Sequence, residues 1–107
     1  MTMPTKIFQA GDETIEVRPC NTQARILLEK SLAKHNIEPK TNASGAEMIR
    51  LLLVRWERNG KDLVMILPPD QLRDEISKYD GMMERVMTES LSLAAEMGKR
   101  YEADTKN

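Results

Sequence analysis

The chain has 107 residues, of which 40% are hydrophobic and 31% charged, and its net charge is −1. This composition fits one folded domain and excludes an intrinsically disordered chain. No apolar run approaches the ~20 residues of a membrane span, and the first residues lack the apolar region of a signal peptide. We therefore expect a cytoplasmic protein without a membrane partner.

The first clear element along the chain is a strand over residues 14–18. Its side chains alternate between polar and apolar, which is the period of a half-buried strand. Ile15 and Val17 face one side, and three polar residues face the other: Thr14, Glu16 and Arg18. Pro19 ends the strand, and a helix is predicted over residues 22–36 with Asn21 or Thr22 as its cap.

Residues 44–58 are the most distinctive stretch. Ser44 and Glu47 have the spacing of a capping box, and Asn59-Gly60 is typical of a helix end, so the pattern predicts one helix over this range. Five apolar side chains recur at helical spacing: Met48, Ile49, Leu52, Leu53 and Trp56. Other apolar residues lie off this stripe, and a helix that is apolar nearly all round needs cover on both sides.

A second copy of the chain is the simplest source of that cover. We therefore expect an obligate homodimer, or a higher homo-oligomer, whose interface consists of apolar residues from the strand and from this helix: Ile15, Val17, Ile49, Leu52, Leu53 and Trp56. On this interpretation residues 1–61 form a dimerisation and DNA-binding domain.

Residues 62–107 are predicted as a C-terminal region for oligomerisation or partner binding. They comprise a short apolar strand at 63–67, a helix at 70–78 and a long helix at 82–102. The long helix has a heptad-like seam, which includes Met83, Met87, Ala94, Met97 and Tyr101. Two interpretations of this seam stay open: it packs on its own domain, or it binds another copy or a protein partner.

The order strand, helix, loop, helix in residues 14–58 resembles the ribbon-helix-helix superfamily, the class of the Arc and methionine repressors. The resemblance depends on the strand TIEVR, on the amphipathic helix after it, and on SGAEMIR at the start of the second helix. It implies a mainly α dimer with a short β-ribbon, extended here by a C-terminal strand and helices. In that fold the paired ribbon enters the major groove of double-stranded DNA.

The resemblance also implies a DNA-binding site. The outward side chains of the ribbon, Thr14, Glu16 and Arg18, would face base edges. Phosphates would be held by Lys6 and by the first turn of the second helix, which contains Ser44, Gly45 and Ala46. The corresponding function is that of a sequence-specific repressor, or of an accessory factor of plasmid or phage DNA processing.

Alternatives stay open for both fold and function. The alternative fold is a single-chain α+β structure, with a hairpin of residues 6–9 and 14–18, a third strand at 63–67 and helices on one face. The alternative function is a small protein-interaction module of phage or plasmid origin that binds and inhibits a host protein. The near-neutral net charge and the acidic Glu16 favour this second function.

No enzymatic activity is expected. One His and one Cys cannot form a Cys/His metal cluster or an imidazole-based triad within one chain, and the five Gly residues form no phosphate-binding motif. We therefore expect neither a metal nor a cofactor. His35 and Cys20 are interpreted as a residue near a helix end and a small packed residue.

Overall fold

Within residues 4–79 and 81–105, which it describes, the computed structural model is an α+β fold with four strands and five helices. Side chains in the last helix are described up to residue 98. The strands form one antiparallel sheet and lie side by side in their chain order. The prediction of a mainly α fold with a short β-ribbon is therefore wrong.

The first two strands form a hairpin. Strand β1, Lys6–Ala10, pairs with β2, Glu13–Val17, through a two-residue turn in which Gly11 has a φ of +63°. In β2 the side chains of Ile15 and Val17 are buried, while Thr14 and Glu16, which alternate with them, are half-buried on the opposite face. The strand predicted from the alternating pattern is confirmed.

Five helices lie within the described residues: α1 (Thr22–Lys34), α2 (Asn42–Leu52), α3 (Leu63–Ile66), α4 (Pro69–Lys78) and α5 (Met82–Thr105). The helices predicted at 22–36, 70–78 and 82–102 correspond to α1, α4 and α5. Among the described helices, none is both long enough and apolar enough to cross a membrane.

The predicted helix over residues 44–58 is wrong in its second half. Helix α2 is followed directly by strand β3, Leu53–Arg58, with no loop between them. Strand β3 then turns at Asn59-Gly60 into the two-residue strand β4, Lys61–Asp62. Asn59 and Gly60 both have positive φ angles, which is the preferred geometry of a tight hairpin loop. The Asn-Gly pair therefore ends a strand and not a helix.

Strand β2 lies inside the sheet and pairs with β1 along one of its own edges and with β3 along the other. In a ribbon-helix-helix dimer the corresponding strand pairs with a second chain, but here the same chain occupies both edges. The alternative α+β prediction is closer, because its hairpin of residues 6–9 and 14–18 is present. Its third strand at 63–67 is wrong, since α3 occupies most of that range.

Two side-chain caps fix the starts of the first two helices. Asn21 accepts a hydrogen bond of 3.1 Å from the backbone N–H of Ala24 and so caps α1. Helix α2 begins earlier than predicted, because Thr41 and Ser44 form a reciprocal capping box. Ser44 is thus the inner member of that box and not the cap, and the Glu47 carboxylate is free for another contact.

The core lies between the sheet and the helices. Phe8, Ile15 and Trp56 are neighbours across β1, β2 and β3, and all three are buried. Other buried apolar side chains complete the cluster: Val17, Cys20, Ala46, Ile49, Leu52, Leu53, Leu63, Leu72, Ile76, Met82 and Val86. The core thus draws on both sides of the proposed boundary between residues 61 and 62, and that boundary falls within β4.

Candidate interaction surface

The residues predicted to contact DNA lie on different parts of the molecule. Thr14 and Glu16 are on the face of the sheet opposite the core, where Glu16 Oε1 lies 3.6 Å from Arg55 Nε. Lys6 Nζ forms a salt bridge of 2.9 Å with Glu89 of α5. Glu16 and Lys6 of this predicted site therefore both form ion pairs within the chain.

Arg18 and the first turn of α2 are also engaged. The Arg18 guanidinium donates hydrogen bonds to backbone carbonyls at the α2–β3 junction. Ser44 and Ala46 are buried, and a Cβ atom added to Gly45 would lie 2.6 Å from Cε of Met83 in α5. This turn of α2 is packed against α5.

The six residues predicted to form a dimer interface all lie in the core of one chain. Each is at most 1% exposed: Ile15, Val17, Ile49, Leu52, Leu53 and Trp56. The sheet and the other helices provide the cover for which a second copy was expected. These side chains therefore leave no apolar area for a partner.

The seam predicted on the long helix faces its own chain over the first half of α5. Over residues 82–98 of α5, whose side chains are described, the buried residues are Met82, Val86, Ser90 and Leu93. Met83 and Met87 pack against the same core at its edge, whereas Ala94 and Met97 are half-buried. Tyr101 lies outside the residues whose side chains are described. The first half of α5 is thus part of the core.

Helix α1 is the element whose surface the sequence analysis did not identify. It packs mainly against α2, and none of its residues is buried. Ala24, Leu28 and Leu32 are half-buried on its inner side. Ile26 and Leu27 are 48% and 50% exposed, so about half of the surface of two large aliphatic side chains faces solvent. Three consecutive apolar residues, at 26–28, span more than one face of a helix. This pattern in the sequence indicates that part of the apolar surface of α1 lies outside its buried side.

A groove of about 300 Å³ runs beside Leu27, between the start of α1 and the end of α2. We call it the α1–α2 groove. Most of its lining is apolar: Pro19, Ala24, Leu27, Leu51 and Leu52. Arg18 contributes a charged group to the lining. An apolar groove with a charged rim has the composition typical of peptide-binding sites.

A buried carboxylate holds α1 in place. Glu47 of α2 accepts hydrogen bonds from Ser31 of α1, from Arg50 Nε at 2.5 Å and from Arg73 Nη1 of α4 at 2.9 Å. Glu47 has no exposed surface. This cluster, the Glu47 cluster, joins three helices and sets the position of the inner face of α1.

The segment that contains Arg18 and α1 has a net positive charge. Residues 18–34 contain four cationic side chains, Arg18, Arg25, Lys30 and Lys34, and one acidic side chain, Glu29, for a local charge of +3. Since the whole chain has a net charge of −1, all other residues together carry −4. The exposed apolar residues of α1 thus lie in a segment whose net charge is opposite to that of the rest of the chain.

A second buried carboxylate, Glu13, belongs to the core. It accepts hydrogen bonds from Trp56 Nε1 at 2.9 Å, from Arg58 Nε at 2.6 Å and from the Tyr79 hydroxyl. Burial raises the pKa of Glu13, but the hydrogen bonds from Tyr79, Arg58 and Trp56 outweigh this effect and lower it. A carboxylate with three donors is saturated, so we assign Glu13 a structural role.

The remaining groups with possible chemistry show no assembled site. Cys20 is buried, and burial raises the pKa of its thiol, which disfavours the reactive thiolate. Among the side chains of residues 4–79 and 81–98, no group of three His, Cys, Asp or Glu residues is placed to hold a metal ion. Comparisons with protein-family models, with curated proteins and with solved structures found no match to this chain.

Proposed function

We propose that this protein is a protein-interaction module that binds a partner polypeptide in the α1–α2 groove. The observation that carries the proposal is the exposure of Ile26 and Leu27 on a helix without a buried residue, with Leu27 in the wall of an apolar groove of about 300 Å³. Burying one large aliphatic side chain contributes roughly 1.5–3 kcal/mol. Leu27 in the groove wall and Ile26 next to it on the same helix can anchor a peptide.

A protein partner fits this surface better than DNA does. The centre of the surface is apolar, whereas the phosphates that dominate the affinity for DNA bind cationic side chains. The residues that resembled a DNA-reading ribbon are dispersed, with Thr14 and Glu16 on the open sheet face and Arg18 at the groove. This arrangement supports a protein-interaction module over a DNA-binding protein.

Selection from a displayed library of random peptides tests the proposal. The wild-type protein is expected to enrich a peptide family, and Leu27→Asp is expected to abolish the enrichment because a charge would lie in the wall of the groove. Leu91→Asp is the matched control, since Leu91 of α5 is 46% exposed and lies outside the groove lining. Circular dichroism checks that each variant is folded.

Two results would contradict the proposal. One is equal enrichment by the wild type and Leu27→Asp, which would place binding elsewhere. The other is no enrichment together with tight binding of random duplex DNA at low salt that weakens steeply as salt rises. The second result would support the DNA-binding prediction instead.

A further inference from the structure

We infer that the α1–α2 groove binds an acidic amphipathic helix, with apolar side chains in the groove and carboxylates on Arg18 and on the basic residues of α1. This inference rests on the proposed function and adds the chemical class of the partner.

Arg18 is a fixed cation at the rim of the groove. Its Nη1 donates to the carbonyl oxygens of Leu51 and Leu53, both at 3.0 Å. These bonds hold the guanidinium at the C-terminal end of α2, while the side chain as a whole is exposed. The guanidinium has five N–H donors in a planar fork that matches a carboxylate. Its position is set before a partner arrives, so little conformational entropy is lost on binding.

Arg18 and Arg25 differ from the other arginines whose side chains are described. Five arginines pair with a carboxylate of this chain within 4 Å: Arg50, Arg55, Arg58, Arg73 and Arg85. Arg18 and Arg25 have no such pair among the described residues. Arg18 follows β2 and lines the groove, and Arg25 is the fourth residue of α1, next to the lining residue Ala24. A carboxylate from a partner would give each of them the ion pair that the other five arginines have within the chain.

Lys30 and Lys34 extend this pattern along α1. They follow Leu27 by one and two turns, so they lie on the same side of the helix, and neither forms a salt bridge with a described residue. Ile26 and Leu27 lie between these lysines and Arg18. Acidic groups that flank an apolar stripe would match this arrangement.

A helix is the partner conformation that fits best. Helix α1 has 13 residues and is about 20 Å long. A partner helix with its first anchors in the groove at the start of α1 would pack along α1 for nearly four turns. An amphipathic helix presents its anchors at i, i+3, i+4 and i+7, the usual way of filling a groove between helices. A second copy of α1 is a poor occupant, because each copy has a local charge of +3 and the two would repel each other.

The probe is a synthetic amphipathic helical peptide with Leu at those four positions and Glu on its remaining faces. The matched probe has every Glu replaced by Lys. Fluorescence anisotropy at low salt is expected to show binding of the acidic peptide and at least about tenfold weaker binding of the basic one. Arg18→Gln is expected to lower the affinity for the acidic peptide by at least about tenfold, since it removes a charge-assisted hydrogen bond between the protein and the peptide.

Two controls separate binding from folding. Arg85→Gln removes an arginine that pairs with Glu89 outside the groove, and it is expected to leave the affinity unchanged. Lys30→Glu leaves the Arg18 hydrogen bonds intact. It is expected to weaken the binding of the acidic peptide and to strengthen the binding of the basic peptide. It therefore keeps the test valid if Arg18→Gln disturbs the end of α2.

The outcomes distinguish this inference from the proposed function. If the library yields groove-dependent peptides but the acidic probe binds no better than the basic one, the acidic partner is wrong and the interaction module stands. If no peptide depends on Leu27, both fail. Tighter binding of duplex DNA than of the acidic peptide, lost in Lys30→Glu, would assign the same basic surface to nucleic acid and would overturn both.

Discussion

Glu47 is a fully buried carboxylate at the point where α1, α2 and α4 meet. Burial raises its pKa, but the hydrogen bonds from Arg50, Ser31 and Arg73 outweigh burial and set the pKa at about 2. Two cations around one carboxylate make the cluster sensitive to loss of that charge. The sequence places Glu47 three residues after Ser44, a spacing that fits a capping box equally well, so this role could not be predicted.

Replacing Glu47 with Gln should lower the free energy of unfolding at neutral pH by about 3 kcal/mol, because Arg50 and Arg73 lose their common partner. The pKa of Glu47 is lower in the folded chain than its ordinary value of 4.5. Its contribution is thus complete above about pH 4.5 and is lost as the pH falls towards 2. Urea unfolding at pH 7 and at pH 3 measures both effects, with the exposed Glu29→Gln as the control. An equal difference between Glu47→Gln and wild type at the two pH values would contradict this assignment.

At the scale of elements, the junction between α2 and β3 is where sequence patterns are least decisive. Leu51, Leu52, Leu53 and Val54 form a continuous apolar run, and such a run fits a buried helix and a buried strand equally well. The structure divides it after Leu52, because β2 offers an edge to which the following residues can pair. Long-range pairing of this kind has no signal in a local period.

The Asn-Gly pair after β3 is a local sequence signal that residues 53–58 form a strand of a hairpin. An Asn-Gly pair between two strand-like segments is a strong short-range signal for a hairpin, but the same pair is also typical of a helix end. Gly60→Ala should destabilise the fold by about 1 kcal/mol, because the φ of +76° is unfavourable for a residue with a Cβ atom while the space around that atom is free.

Gly98→Ala is the matched substitution for this test. Gly98 lies in α5, and a Cβ atom there also meets nothing within 4 Å. Because Ala is about 1 kcal/mol better than Gly inside a helix, thermal unfolding should show a small stabilisation at residue 98 and a loss at residue 60. The same sign at both positions would argue against the hairpin turn.

At the scale of the whole molecule, the sequence located most elements but not their assembly. The strand TIEVR and the helices α1, α4 and α5 follow from local periods and caps. The position of β2 between two strands of its own chain depends on contacts between residues far apart in sequence, and it removes the need for a second copy. The groove was missed for the same reason: a periodic pattern shows that α1 is amphipathic, but not how much of α1 the rest of the chain covers.

The fold therefore predicts that one chain folds without a partner. Leu52 has no exposed surface and is covered by its own chain, so Leu52→Ala should lower the free energy of unfolding by roughly 2–5 kcal/mol. The unfolding midpoint of wild type and variant should not change with protein concentration, since mass action affects only folding that is coupled to association. Leu91→Ala, at a half-exposed position of α5, should leave the free energy of unfolding within about 0.5 kcal/mol of wild type.

Thermal unfolding over a hundredfold range of protein concentration measures whether the midpoint changes, and sedimentation equilibrium in parallel measures the mass of the folded species. A midpoint that rises with concentration would show that folding requires a second chain.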